Sequence, residues 1–586
     1  MIPVFHCRSV NCALRVLAAG ALWGMSPLLG APQSTNPNTN LSLPQQASRF
    51  LGQATCGPTQ AEIDALAEAL KKSPTSAYAE WIKAEIAKPV TDADLSLPTF
   101  RTNFPPDYPK SGFRQQAKEA AAVRAGMMIA TPLQFRYRVA WAWSQIFVVS
   151  IQGDLIGSPE GLCDYQDMLV RNAFVKFRDL LLAVTTHPCM GNYLTSAGNA
   201  KAGYQSPGSR PDENYAREVM QLFTIGLYQL KPNGDPVVSA GRLVPTYDND
   251  NITDLARVFT GMVYPKGPGE KVRKDRSGNV TVSVNEKANV RFGTMDYEEK
   301  RHDDGAKRFI DGTPLRAGRS AQEEIADVVD RLARHPSTGP FIARSLIQRL
   351  VTSNPSPAYI QAVAETFRKT DGDMAAVIGA ILLHPEARAT NLALRETAGK
   401  LRDPWLRFTQ MARAFHARAS DGPLPFPTQQ GRLLSALGQF PLASPSVFNF
   451  YLPTYEPPGE IIQRNERLSI LQVPLVGPEF QILHAITAID TPNYFLEALE
   501  TERVSSKGGQ PIALDLAPQI GLAPKAEELL ANVDTLLTAG MMSDATRAII
   551  LKAVKSLPSD SEEACRERAK LAVYLTLVSP DYAIQK

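Results

Sequence analysis

A chain of 586 residues with 44% hydrophobic content is long enough to bury a large core and too apolar to be a disordered polymer. Lys and Arg total 62 against 59 Asp and Glu, and the resulting formal charge of +3 gives no electrostatic footprint for nucleic acid or an anionic membrane surface.

At the N-terminus, Arg8 and Arg15 precede an uncharged run, VLAAGALWGMSPLL, from Val16 to Leu29, and the first acidic residue is Glu62. A basic region followed by an apolar one is the layout of an export signal. The run is too short to cross a bilayer comfortably, so no transmembrane span is expected in the mature chain. Residues 1–31 are read as a signal peptide, 32–45 as a polar spacer, and 46–586 as one large helical domain, exported to the periplasm, outer envelope or medium. The plainer alternative is a buried N-terminal core helix. Leu29 and Pro32 around Ala31 fit the small-residue cleavage pattern poorly. Beyond the signal lie Cys56, Cys163, Cys189 and Cys565, with no CxxC spacing; they suit either two disulfides or four small buried hydrophobes.

The dominant period is helical. PTQAEIDALAEALKK opens with a Thr59/Glu62 capping box and places Ile63, Leu66, Ala67 and Leu70 on one face; Ser320 and Glu323 repeat the device. Further helices are predicted at about 113–129, 131–150, 160–172, 176–186, 211–226, 251–262, 340–352, 357–369, 373–383, 395–416, 478–500, 525–538, 543–556 and 562–578. The fold class is mainly α: a large multi-helix single domain with a small β insert at about 263–312, where NVTVSV alternates. A second irregular stretch, 417–475, reads as an ordered loop over the core. Three helices end in His-Pro, at His187, His335 and His384, and these histidines are expected to cap the negative helix ends.

RPDENYAREVMQLFTIGLYQL places Tyr215, Val219, Leu222, Phe223 and Gly226 on a buried stripe, with Ser209 and Asp212 as an expected capping box. Glu213 and Arg217 fit an exposed i, i+4 pair. Asn214, Glu218 and Gln221 form a polar row without a complementary charge of its own.

Several segments together resemble one bacterial family, domain-of-unknown-function family 1800: SRFLGQATCGPTQAEIDAL, QFRYRVAWAWSQIFVVS, FRDLLLAVTTHPCMGNYL, ENYARE, LARVFTG, HDDGAK, SNPSPAYIQAV and LGQFPLASPSVFNFYLP. The resemblance runs from about Arg49 to Tyr582. It implies a secreted or envelope protein, often encoded beside a second exported family, number 1501, related to sulfatases and alkaline phosphatases; it implies no established reaction. Met262 stands where the family commonly has tryptophan, and Cys56 where phenylalanine is usual.

Familiar catalytic signatures are absent: HExxH, GxxxxGK[ST] and GxSxG do not occur. The candidate catalytic residues are Glu218, His302, Asp303, Arg217 and Lys307, and Glu218, His302 and Asp303 are the candidate ligands of a divalent metal, since a His-Asp pair with a distant glutamate leaves open positions for water. The plainer reading of RHDDGAK is a tight turn in which an aspartate pairs with Lys307 and His302 binds a backbone carbonyl. Asp248, Asn249 and Asp250 lack the rest of a calcium loop, and Asp250 or Asn251 is read as a helix cap. The ENYARE helix and the HDDGAK turn are expected to form one polar cleft. Two functions fit: an exported scaffold or assembly protein with a sulfatase-like partner of the 1501 type, or an exported metal-assisted hydrolase or modifying enzyme.

Overall fold

Ser42 and Gln45 cap each other across a first turn that holds Pro44, and this capping box starts the helix Leu43–Ala54 three residues inside the expected spacer. The computed structural model describes residues 40–104, 113–152, 155, 158–274, 280–393, 395–419, 430–466, 474–504 and 512–586. The signal peptide expected at 1–31 and most of the expected spacer lie outside the described residues.

Among the described residues there are 26 α-helices and only short antiparallel strand pairs, so the protein is mainly α. The predicted capping boxes at Thr59 and Ser320 form, opening Gln60–Lys72 and Ala321–Arg334. Amphipathic faces then pack in pairs: Leu43–Ala54 on Gln60–Lys72, Phe113–Ala130 on Pro159–Arg171, Thr338–Leu350 on Pro357–Lys369, and Asp544–Lys555 on Glu562–Leu577. One buried apolar cluster runs through them from Ala47 to Tyr582. The chain end returns to this body, where Ile584–Gln585 pairs antiparallel with Lys400–Leu401. No described helix is long and apolar enough to cross a membrane.

Among the described residues the β insert consists of three two-stranded antiparallel ladders. Met262–Val263 pairs with Asp296–Tyr297, Lys266–Lys274 with Val280–Asn289, and Lys307–Arg308 with Pro314–Leu315.

Several local readings change. The helix predicted over 395–416 starts only at Pro404, because proline suits the first turn and the residues before it pair as strand. The three His-Pro histidines end helices or lie just past them, but each acts on the next turn: Nδ1 accepts from the N–H two residues on, at 3.1 Å for His187 and 3.2 Å for His335 and His384. They are acceptor caps of that next turn, not cationic caps of the helix before it. All four described cysteines are buried and unpaired. Burial pushes the Cys56 thiol up to about 11, in keeping with the small-hydrophobe reading.

Candidate functional site

The ENYARE helix, Asn214–Gln221, buries Tyr215, Ala216, Val219 and Met220, and the Tyr215 hydroxyl donates to Thr185 Oγ1 at 2.7 Å. It is shorter than expected: the N–H groups of Ile225 and Gly226 both turn back to the Met220 carbonyl, and Gly226 takes φ +70°. The expected Ser209/Asp212 capping box does not form. Glu213 occupies the N-cap position without a side-chain cap, and Asp212 instead accepts from Asn214 N–H and Thr195 Oγ1. Arg217 and Glu213 make the predicted pair at 3.4 Å, with both side chains over 40% exposed, which fits an ordinary surface contact. Glu218 is only 7% exposed, and its buried Oε2 has no hydrogen-bond partner. Burial pushes its carboxyl above the ordinary range, opposed by Arg217.

The HDDGAK turn is a different environment. His302 is buried, with Nδ1 3.0 Å from the Thr260 carbonyl oxygen and Nε2 3.2 Å from Glu324 Oε2. Lys307 Nζ donates to the same Glu324 oxygen at 2.7 Å, to the Gly305 carbonyl at 3.1 Å, and to the Asp303 carbonyl. Asp303 receives both arms of Arg257, Nε on Oδ2 and Nη2 on Oδ1, each at 3.0 Å. Burial pushes the Asp303 carboxyl up, but the Arg257 and Gly305 hydrogen bonds outweigh it and hold it below the ordinary range. Arg257 Nη1 also reaches Asp254 at 2.9 Å. Two glycines of the motifs are explained by contact. A Cβ on Gly305 would lie 2.8 Å from Arg257 Nη2, and one on Gly261, at φ +93°, would lie 3.1 Å from His302 Cβ. LARVFTG and HDDGAK are thus one folded unit, stapled by Arg257 and Thr260.

His302, Asp303 and Lys307 share this one turn, where Lys307 Nζ binds the Asp303 carbonyl. Among the described residues no hydrogen bond or ion pair joins Glu218 to any of them. The helix Asn249–Val258 links the two places, touching Glu213 through Thr253 at 3.3 Å and the turn through Asp254 and Arg257. Its N-cap is Asp248, with Asn251 completing a capping box, so Asn251 keeps its predicted role and Asp250 does not. The residue missed here is Glu324, fully buried next to the capping Glu323. Its signal was a carboxylate three residues after buried Ala321 and four before buried Val328, on the apolar stripe. Among the described residues no group of three or more His, Cys, Asp or Glu side chains is disposed to hold a metal ion.

A second polar network lies deeper and escaped the sequence reading. Lys400 Nζ is 2.7 Å from Glu479 Oε1 and 3.7 Å from Asp403 Oδ2, all three side chains being at or below 1% exposure. Asp403 Oδ1 accepts from Gln439 Nε2 at 3.1 Å and lies 2.7 Å from the Tyr451 hydroxyl, itself 2.5 Å from Gln145 Oε1. Arg138 Nη2 and Lys400 Nζ share the Arg349 carbonyl, while Arg349 Nη2 donates to the Gln145 carbonyl. Burial and Asp403 push Glu479 up against the pull of Lys400; for Asp403, Lys400 and the hydrogen bonds outweigh burial, and its carboxyl is lowered. Asp403 Oδ2, Glu479 Oε2, Arg138 Nη1 and Gln145 Nε2 have no hydrogen-bond partner. QFRYRVAWAWSQ, LGQFPLASPSVFNFYLP and the DPW turn, far apart in the chain, meet at this network.

A mainly α body with ionic networks sealed inside it is the class of protein that fold and site define. The chain belongs to the family described as "Protein of unknown function (DUF1800)", whose model matches residues 49–584. No curated relative and no solved structure matches it.

Proposed function

We propose that this protein is an exported scaffold or assembly component of the envelope or extracellular space, working with a sulfatase-like partner of the 1501 type. The observation that supports this reading is that Asp303 and Lys307 of the HDDGAK turn are each engaged by an opposite charge on a neighbouring helix. Asp303 is clamped by Arg257, Lys307 is buried on Glu324, and His302 Nδ1 meets the Thr260 carbonyl while its Nε2 lies 3.2 Å from Glu324 without a hydrogen bond of good geometry. Such a network of paired charges stabilises a turn, and a structural role accounts for it without a substrate. Export rests on the order of basic, apolar and polar residues at the N-terminus, and the partner on the family resemblance.

One observation favours the second reading, an exported metal-assisted hydrolase or modifying enzyme: Glu218 is a buried carboxylate with an unpartnered oxygen and a raised pKa. The test is purification from the envelope fraction of a secreting host, metal analysis, and mixing with a purified sulfatase-like protein. A stoichiometric complex without bound metal is the expected result. A stoichiometric metal lost on His302→Ala would overturn the scaffold, and full-length protein confined to the cytosol with Met1 intact would overturn export.

A further inference from the structure

Lys400 opens the short strand Lys400–Leu401, Asp403 precedes the helix Pro404–Ala414, and Glu479 sits in the turn Pro478–Ile482. Their side chains are sealed, none above 1% exposure. Lys400 Nζ lies 2.7 Å from Glu479 Oε1 and 3.7 Å from Asp403 Oδ2, and it also donates to the Arg349 carbonyl at 3.1 Å. Glu479 Oε2 and Asp403 Oδ2 have no hydrogen-bond partner. One amine thus stands between two carboxyl groups, each with a bare oxygen.

A buried ion pair by itself points only to packing, and Lys307 with Glu324 is equally close and equally buried. The two places differ in the third group. Asp303, the carboxylate next to Lys307, is 4.0 Å away and is held on both oxygens by Arg257. Asp403 keeps Oδ2 bare beside its amine. Burial pushes the Glu479 carboxyl up against the pull of Lys400, with Asp403 adding to the rise. At Asp403 the opposite holds: Lys400 and the hydrogen bonds from Tyr451 and Gln439 outweigh burial. Two carboxyl groups whose environments drive them apart in this way are suited to be one acid and one base.

We propose that Lys400 and Glu479 condense into an intramolecular amide, a covalent cross-link between the strand at Lys400 and the turn Pro478–Ile482, with Asp403 as the base. Nζ gives up two protons. One passes to Asp403 Oδ2 and stays there; the other joins the departing Glu479 oxygen, which leaves as water. The Nζ–Cδ bond forms as the Cδ–O bond breaks, and nothing is oxidised or reduced. Holding the reacting groups in contact is equivalent to an amine concentration of about 10⁵ M or more. The product replaces buried ions with neutral groups and so removes their desolvation cost. The four described cysteines are unpaired, and the amide supplies a covalent tie that they do not.

Tryptic digestion of the denatured full chain, read by mass spectrometry, tests the proposal without any substitution. Trypsin passes over Lys400, and one branched peptide carries Lys400 and Glu479 at a mass one water below the sum of its two arms. The same digest cuts after Lys307 and returns Glu324 in a linear peptide. Asp403→Asn keeps the size of the side chain and an acceptor for Tyr451, yet slows closure about a hundredfold, so the chain is recovered folded by circular dichroism and largely unlinked. A parent digest in which Lys400 is cut and Glu479 lies in a linear peptide overturns the cross-link. Complete cross-linking of Asp403→Asn, or a second cross-link at Lys307, overturns the role of Asp403.

Discussion

The two ionic networks differ in how they are assembled. That of the HDDGAK turn is local: it draws on residues 254–260 and 302–324, and its charges meet opposite charges at hydrogen-bonding distance. That around Lys400 is collected from the whole chain, with Gln145 and Tyr451 standing 306 residues apart; both leave buried atoms unpartnered, His302 Nε2 and Glu324 Oε1 in the first, and Asp403 Oδ2, Glu479 Oε2, Arg138 Nη1 and Gln145 Nε2 in the second. The first staples a loop to the helix beside it. The second joins helices that share no sequence neighbourhood, so its integrity is bound to global folding.

Removing one charge from each network separates them most sharply. Lys400→Ala strands Glu479 and Asp403 in a sealed interior, and a loss of about 3–5 kcal/mol is expected by denaturant melting. Lys400→Met with Glu479→Leu recovers much of it, because a hydrophobic pair carries no desolvation cost. Lys307→Met leaves Glu324, equally buried, with His302 Nε2 at 3.2 Å and with an opening that can stay within one turn, so a smaller loss of about 2–3 kcal/mol is expected, concentrated in hydrogen exchange of residues 298–320. Equal, global losses in both variants would erase the distinction between a local staple and a long-range one.

Two carboxylates give opposite pH signatures. Asp303 has a depressed pKa in the fold, so it stabilises above its ordinary value, and that contribution is lost as pH falls through the depressed one. Asp303→Asn therefore flattens the acid limb of stability. Glu218 has a raised pKa, so its neutral form suits the fold, and stability falls as pH rises from the ordinary value of 4.5 through the raised one. Glu218→Gln removes that fall and melts no lower than the parent at neutral pH. The smallest effect belongs to Arg217→Ala, a few tenths of a kcal/mol, because its pair with Glu213 is exposed.

Most helices were legible because their apolar residues repeat on one face, and Pro357–Lys369 and Met374–Leu383 lie within a residue of expectation. The HDDGAK contacts were partly legible, since His302, Asp303 and Lys307 are five residues apart or fewer. Arg257 and Glu324 were not: each sits on a helix whose pattern already accounted for it. Glu324 was further hidden beside Glu323, which satisfied the capping box. The Lys400 network was invisible for a stronger reason. Arg138, Arg349, Lys400 and Glu479 find their partners only after helices pack, and no spacing in the chain encodes such a meeting. The His-Pro corners were located correctly and assigned the wrong polarity, because sequence shows where an imidazole stands but not which turn its lone pair faces.

At each of these corners one helix hands the chain to the next turn through a lone pair on Nδ1. A proton placed there turns the acceptor into a donor facing another donor, and the joint is pushed apart. Burial lowers the pKa of His335 and His384, so both joints hold above the ordinary imidazole value of 6.5 and weaken as pH falls through the lowered values. Mild acid therefore loosens the hinges between helices before it reaches the apolar interior, giving a body whose parts come apart at set corners.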